Sequence, residues 1–204
     1  MTTKALFAGA LITLLALPAA AQNAPEGTPT RIRGTVEKLD GQTLTVKSRD
    51  GQQLTITLAP NFTVSYVITK TLGDIKAGDY IATTSTKGTD GKNHAVELRI
   101  FPEAQRGTAE GQFPWDSMPD SLMTNATVSG VTGAPQGQTL KVTYKGNESE
   151  IVVGPQTAVF AYGSGDASLL KPGAAIFMVA QKRPDGSITA GRVTAEKDGV
   201  KPPM

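Results

Sequence analysis

Few side chains in this sequence are equipped for chemistry, and their types restrict what it can do. His94 is the only histidine, and cysteine is absent. A metal site would have to complete His94 with partners such as Asp79, Asp90 or Glu97, the thioethers of Met118 and Met123 being further candidates. Oxygen-rich sites need several carboxylates to converge. On a strand His94 and Glu97 face opposite sides unless a bulge intervenes. A solvated or capping histidine is therefore the favoured reading, with a metal-handling accessory protein as the runner-up. A Ser-His-Asp arrangement would have to use the same histidine. The nearest approach to a nucleophile elbow, Tyr162-Gly163-Ser164-Gly165, lies in a glycine-rich, Asp-containing stretch that reads as a turn. Phosphate-cradling glycine motifs are missing, and no spacing favours paired carboxylates. The expectation is a non-enzymatic protein with no cofactor, a hydrolase being the least favoured alternative.

A stronger cluster lies between residues 102 and 123. Arg106, Phe113, the single tryptophan Trp115 and Asp116 place a planar cation, large rings and a carboxylate in one segment, a mixture typical of recognition surfaces. They are the candidate ligand-binding residues. The competing and favoured reading has Phe113 and Trp115 fold back as packing between flanking modules. The two are compatible if the indole packs while Arg106 and Asp116 face solvent.

The elements that must position these residues recur. Gly41-Gln42-Thr43-Leu44-Thr45-Val46 returns 96 residues later as Gly137-Gln138-Thr139-Leu140-Lys141-Val142. Pro60, Lys76-Ala77-Gly78 and Asp90-Gly91 return 95 residues later as Pro155, Lys171-Pro172-Gly173 and Asp185-Gly186. An offset held through several turn signals reads as an internal duplication. Within each copy apolar and polar residues alternate, as in Ile32, Gly34 and Val36 or Leu54, Ile56 and Leu58. This is the period of half-buried strands, separated by Asp-Gly turns. Separate strands are predicted at 53–58 and 63–68, and one short helical turn near Leu72 and Ile75, matched by Leu169 and Leu170. Short strands of this kind avoid exposed edges by closing. The predicted fold is all-β, two tandem OB-like or SH3-like barrels, each of five or six antiparallel strands. The expected boundaries are a lead-in at 22–30, barrels at 31–101 and 124–197, a connector at 102–123 and a frayed tail at 198–204. Asn61, Asn125 and Asn147 head glycosylation sequons and are read as strand or turn residues.

Residues 1–21 read as a secretory signal, with Lys4, an apolar run at 5–17 and Ala19-Ala20-Ala21 before Gln22. The run is shorter than the roughly 20 residues of a membrane span. A soluble, periplasmic mature chain is expected, with no membrane span. Removing Lys4 with the leader lowers the formal net charge from +2 to +1. Such a balance argues against nucleic acid as a partner. An envelope protein, a peptide or a glycan remains.

Arg31-Ile32-Arg33-Gly34-Thr35-Val36, the strand from Gly41, Ile75-Lys76-Ala77-Gly78-Asp79, and Pro114-Trp115-Asp116 leading to Met123-Thr124-Asn125-Ala126-Thr127 resemble one group of sequences. These are uncharacterised proteobacterial exported proteins built from a small secreted β-barrel domain. The resemblance implies export and a barrel fold, and supplies no catalytic residues.

Overall fold

A computed structural model describes residues 27–134 and 137–203, and the alternating stretches within them are strands; the expected leader and all but the end of the lead-in lie outside them. The strands in chain order are β1 (Thr28–Asp40), β2 (Thr43–Ser48), β3 (Gln53–Lys70), β4 (Tyr80–Lys87), β5 (Asn93–Ile100), β6 (Gly111–Pro114), β7 (Leu122–Ala134), β8 (Gly137–Tyr144), β9 (Asn147–Val153), β10 (Ala158–Gly165), β11 (Ala175–Lys182) and β12 (Ile188–Ala195). Short 3₁₀ turns at Leu72–Asp74 and Ala167–Leu169 fall where the sequence places them. Each leads to a glycine with φ near +90°, Gly78 and Gly173, which reverses the chain into the next strand.

The chain is all-β and its strands close into five-membered rings, but not along the expected boundaries. β1, β2 and β3 pair in sequence; β11 then joins β1, and β12 bridges β11 back to β3. The other ring runs β4, β7, β8 and β9, with β5 joining β9 to β4. Each ring thus takes three strands from one half of the chain and two from the other. All the strands belong to one 12-stranded sheet. The contiguous barrels expected at 31–101 and 124–197 are replaced by exchanged ones. A second correction follows from closure: β3–β12, β5–β9 and β5–β10 are parallel, so the rings are not wholly antiparallel. A third strand running parallel to the last is the OB arrangement.

Strand β3 is the physical cause of the exchange. The sequence predicts two strands at 53–58 and 63–68. Instead the chain stays extended through Pro60, and β3 runs 18 residues. Its first part serves the barrel of β1 and β2, and its second part pairs antiparallel with β10, from Val64↔Gly165 to Lys70↔Val159. That crossing carries each half away from its own first three strands. Corresponding contacts still form, so two cores result. Leu44, Val46, Ile56 and Leu58 pack with Leu170, Ile176, Met178 and Val193. Leu140, Val142 and Ile151 pack with Ile75, Ile81 and Leu98. Leu44 and Leu140 are both fully buried, one in each. A leucine of this kind contributes about 1.5–3 kcal/mol.

Two further expectations give way. Tyr162-Gly163-Ser164-Gly165 is strand β10, not a turn. Gly163 is needed there because a Cβ would sit 2.6 Å from the Tyr66 ring on the neighbouring strand. The tail is held rather than frayed: Lys197 and Val200 bridge, and Pro202 is buried.

Candidate functional site

The segment after β5 folds back over the junction of the two barrels. Its β6 pairs with β7, and the residues that follow reach β1 and β11. Trp115 meets Phe113 edge-on at 6.1 Å and Phe177 at 6.3 Å, while the guanidinium carbon of Arg31 lies over the indole, 4.0 Å from its centroid. Asp116 ties the arrangement down. Its carboxylate accepts from both terminal nitrogens of Arg33, at 2.8 and 3.2 Å, and lies 3.6 Å from Arg31. Partial burial pushes the Asp116 carboxyl up, but the Arg33 hydrogen bonds and the charges of Arg33 and Arg31 outweigh it and hold it below the usual range.

Beneath this roof lies a cleft of about 520 Å³. Its lining includes two ring groups: Phe101 and Tyr162, stacked 5.1 Å apart, and Phe113, Trp115 and Phe177, which meet edge-on. Arg99 is 4% exposed and lines the cleft between barrels. It donates to the Tyr162 hydroxyl at 3.2 Å and to Glu97 at 2.8 Å. Burial disfavours the cation, yet Glu97 and then Tyr162 overcome that and raise the Arg99 pKa above its ordinary value. Asn125 spans the roof, donating to the carbonyls of Thr108 and Ala109. Arg99 Nε and Asn125 Oδ1 are buried without a partner among the described residues. Tyr80, just outside, donates to Thr108, and burial, aided by Glu110, pushes its hydroxyl up to about 12.

The cleft straddles the relation between the two halves. β4 and β11 correspond at 95 residues, as do β5 and β12. Strand register then matches Arg31 with Met123, through Arg31↔Val179 and Thr84↔Met123. Three corresponding pairs face the same cleft with different chemistry: Arg31 and Met123, Phe177 and Ala82, Thr194 and Arg99.

The candidates from sequence divide accordingly. Phe113 and Trp115 line the cleft, and Trp115 also packs on Phe177 of β11, as the packing reading expects. Asp116 anchors the roof without lining it. Arg106 stands apart, bound to Glu103 at 2.6 Å and to the Gly78 carbonyl at 2.8 Å. Arg99, Tyr162, Phe177, Asn125 and Arg192 escaped the sequence reading. The differences between matched positions, Arg99 against Thr194 above all, were the available signal.

The four metal candidates do not converge. His94 Nε2 meets Asp90 at 2.9 Å in the β4–β5 turn. The Lys92 amide and then His94 hold the Asp90 carboxyl below its ordinary range. Asp79 accepts from the Lys76 amide at 2.8 Å, and Glu97 serves Thr84 and Arg99. A bulge does interrupt β5 between Ala95 and Glu97, but it leaves Glu97 on the arginine. Among the described residues no group of three or more His, Cys, Asp or Glu is placed to hold a metal ion.

No protein-family model, curated protein or solved structure matches the chain. No helix among the described residues is long and apolar enough to cross a membrane.

Proposed function

We propose that this chain is an exported, non-enzymatic binding module of the bacterial envelope, built by duplication of an OB-like unit, with its ligand site in the cleft between the barrels. The observation that carries this reading is the cleft itself. About 520 Å³ of space is walled by rings from both halves and roofed by the segment bearing the only tryptophan. Its size falls in the range of about 300–1,000 Å³ used by small-molecule sites, and two residues of its lining, Arg99 and Asn125, carry buried polar atoms with no partner among the described residues. A chain folding for stability alone gains by filling such space. Export rests on the leader pattern and on the resemblance to exported barrel proteins.

A photo-crosslinking residue at Val179, which is 49% exposed and lines the cleft, tests the reading in cells, with Ile68 as an exposed control. Capture specific to position 179 is expected, on a chain whose amino terminus is Gln22. Equal capture at both positions, or none at 179, removes the cleft as the binding site. An uncleaved leader removes export.

A further inference from the structure

We infer that the cleft takes a planar aromatic carboxylate, its ring against the aromatic lining and its carboxylate toward Arg31 and Arg192. This deepens the reading of the cleft as a ligand site and rests on it.

Charge decides the sign of the ligand. Among the described residues no Asp or Glu lines the cleft, whereas Arg31, Arg99 and Arg192 do. Glu97 answers Arg99 as a close ion pair, so that cation is compensated. One carboxylate, Asp116, is divided between Arg33 and Arg31, and it sits closer to Arg33. Arg192 is exposed and has no hydrogen-bond or ion-pair partner among the described residues. The uncompensated positive charge therefore belongs to Arg31 and Arg192. Guanidinium groups match carboxylate geometry with paired hydrogen bonds.

Ring chemistry decides the body. Phe101 and Tyr162 contribute a stacked pair to the lining, and Trp115, already covered by Arg31, contributes an edge-to-face group with Phe113. Flat ligands gain from offset or edge contacts with such walls, which flexible alkyl chains do not. Polar hooks lie deeper. The Tyr162 oxygen accepts from Arg99 and keeps its own proton to donate, and Asn125 Oδ1 needs a donor. A ring substituent such as a hydroxyl satisfies either one.

Three probes separate these features in calorimetric titrations of the full-length mature chain: 6-hydroxy-2-naphthoate, its uncharged analogue 2-naphthol, and dodecanoate, an anion without a ring. Emission of the single tryptophan, Trp115, reports binding at the cleft. We expect one naphthoate site per chain, a change in Trp115 emission, and affinity at least tenfold above that of 2-naphthol. Arg31→Gln with Arg192→Gln should remove the preference, bringing the ratio of naphthoate to 2-naphthol affinity, measured on the same variant, to about one. Equal affinity for naphthoate and 2-naphthol overturns the anionic ligand, and dodecanoate binding as tightly as naphthoate overturns the planar one. Naphthoate binding that leaves Trp115 emission unchanged overturns its placement in the cleft. If naphthoate fails while Val179 still captures a ligand, the ligand class is wrong and the binding module stands; if both fail, the two fall together.

Discussion

The hydroxyls of Ser65 and Thr194, 129 residues apart, share a buried hydrogen bond of 3.0 Å across the parallel seam of β3 and β12. The matching seam of the other barrel pairs Phe160 with Arg99. Equivalent backbone positions thus hold a compact polar pair in one barrel and a ring beside a buried cation in the other. Thr194→Val leaves the Ser65 hydroxyl buried without its partner and should cost about 1–3 kcal/mol, whereas Ser65→Ala combined with Thr194→Val should recover most of it. Urea unfolding of the three variants checks this.

Exchange of strands predicts which core residues feel one another. Leu44→Ala should destabilise by about 2–5 kcal/mol. Combined with Ile176→Val, from the other half of the chain but the same core, it should show coupling of about 0.5–3 kcal/mol. Combined with Leu140→Ala, which lies in the other core, it should be additive. The opposite pattern in a double-mutant cycle would mean that the barrels close within each half.

Asp116 links the roof to pH. Its carboxyl is held below the ordinary value of 3.8, so its contribution to stability is complete above that value. It is lost as pH falls through the lowered folded-state pKa. Wild type and Asp116→Asn should differ by a constant amount in denaturant melts above about pH 5, roughly one unit above the ordinary value of 3.8. The difference should shrink below pH 3.8, with Trp115 emission changing in parallel. A gap that does not narrow in acid would show that Asp116 contributes no ion-pair stability.

Gly163 and Gly133 make a paired test of close approach. Gly163→Ala must displace the Tyr66 ring, over which Lys197 sits at 4.0 Å, and should cost about 1–3 kcal/mol. Nothing lies within 4 Å of a Cβ at Gly133, so alanine there should stay within about 0.5 kcal/mol of wild type. Thermal melts of both variants suffice, and equal effects would count against the β3–β10 crossing.

His94 and Asp90 form an exposed pair, with side chains 42% and 48% accessible. His94→Ala should change stability by less than about 1 kcal/mol and leave the metal content of the purified protein unaltered. Stoichiometric metal lost on this substitution would revive a metal-handling role.

Periodicity in the residues between Arg31 and Ala195 was enough to show strands, turns and an inward set that includes Leu44 and Leu140, because those properties depend on near neighbours. The same alternation is satisfied whether β11 closes on β1 or on β7, since corresponding strands offer similar apolar faces at similar spacing. Only tertiary structure chose between them, through the antiparallel crossing of β3 and β10. The site followed the same division. Phe113 and Trp115 stood out as large apolar side chains in a segment otherwise read as a connector, so they were legible. Arg99, Tyr162 and Arg192 sit on strands that look ordinary in sequence; they become a cleft only when exchange brings the two halves face to face and their unlike residues share one space.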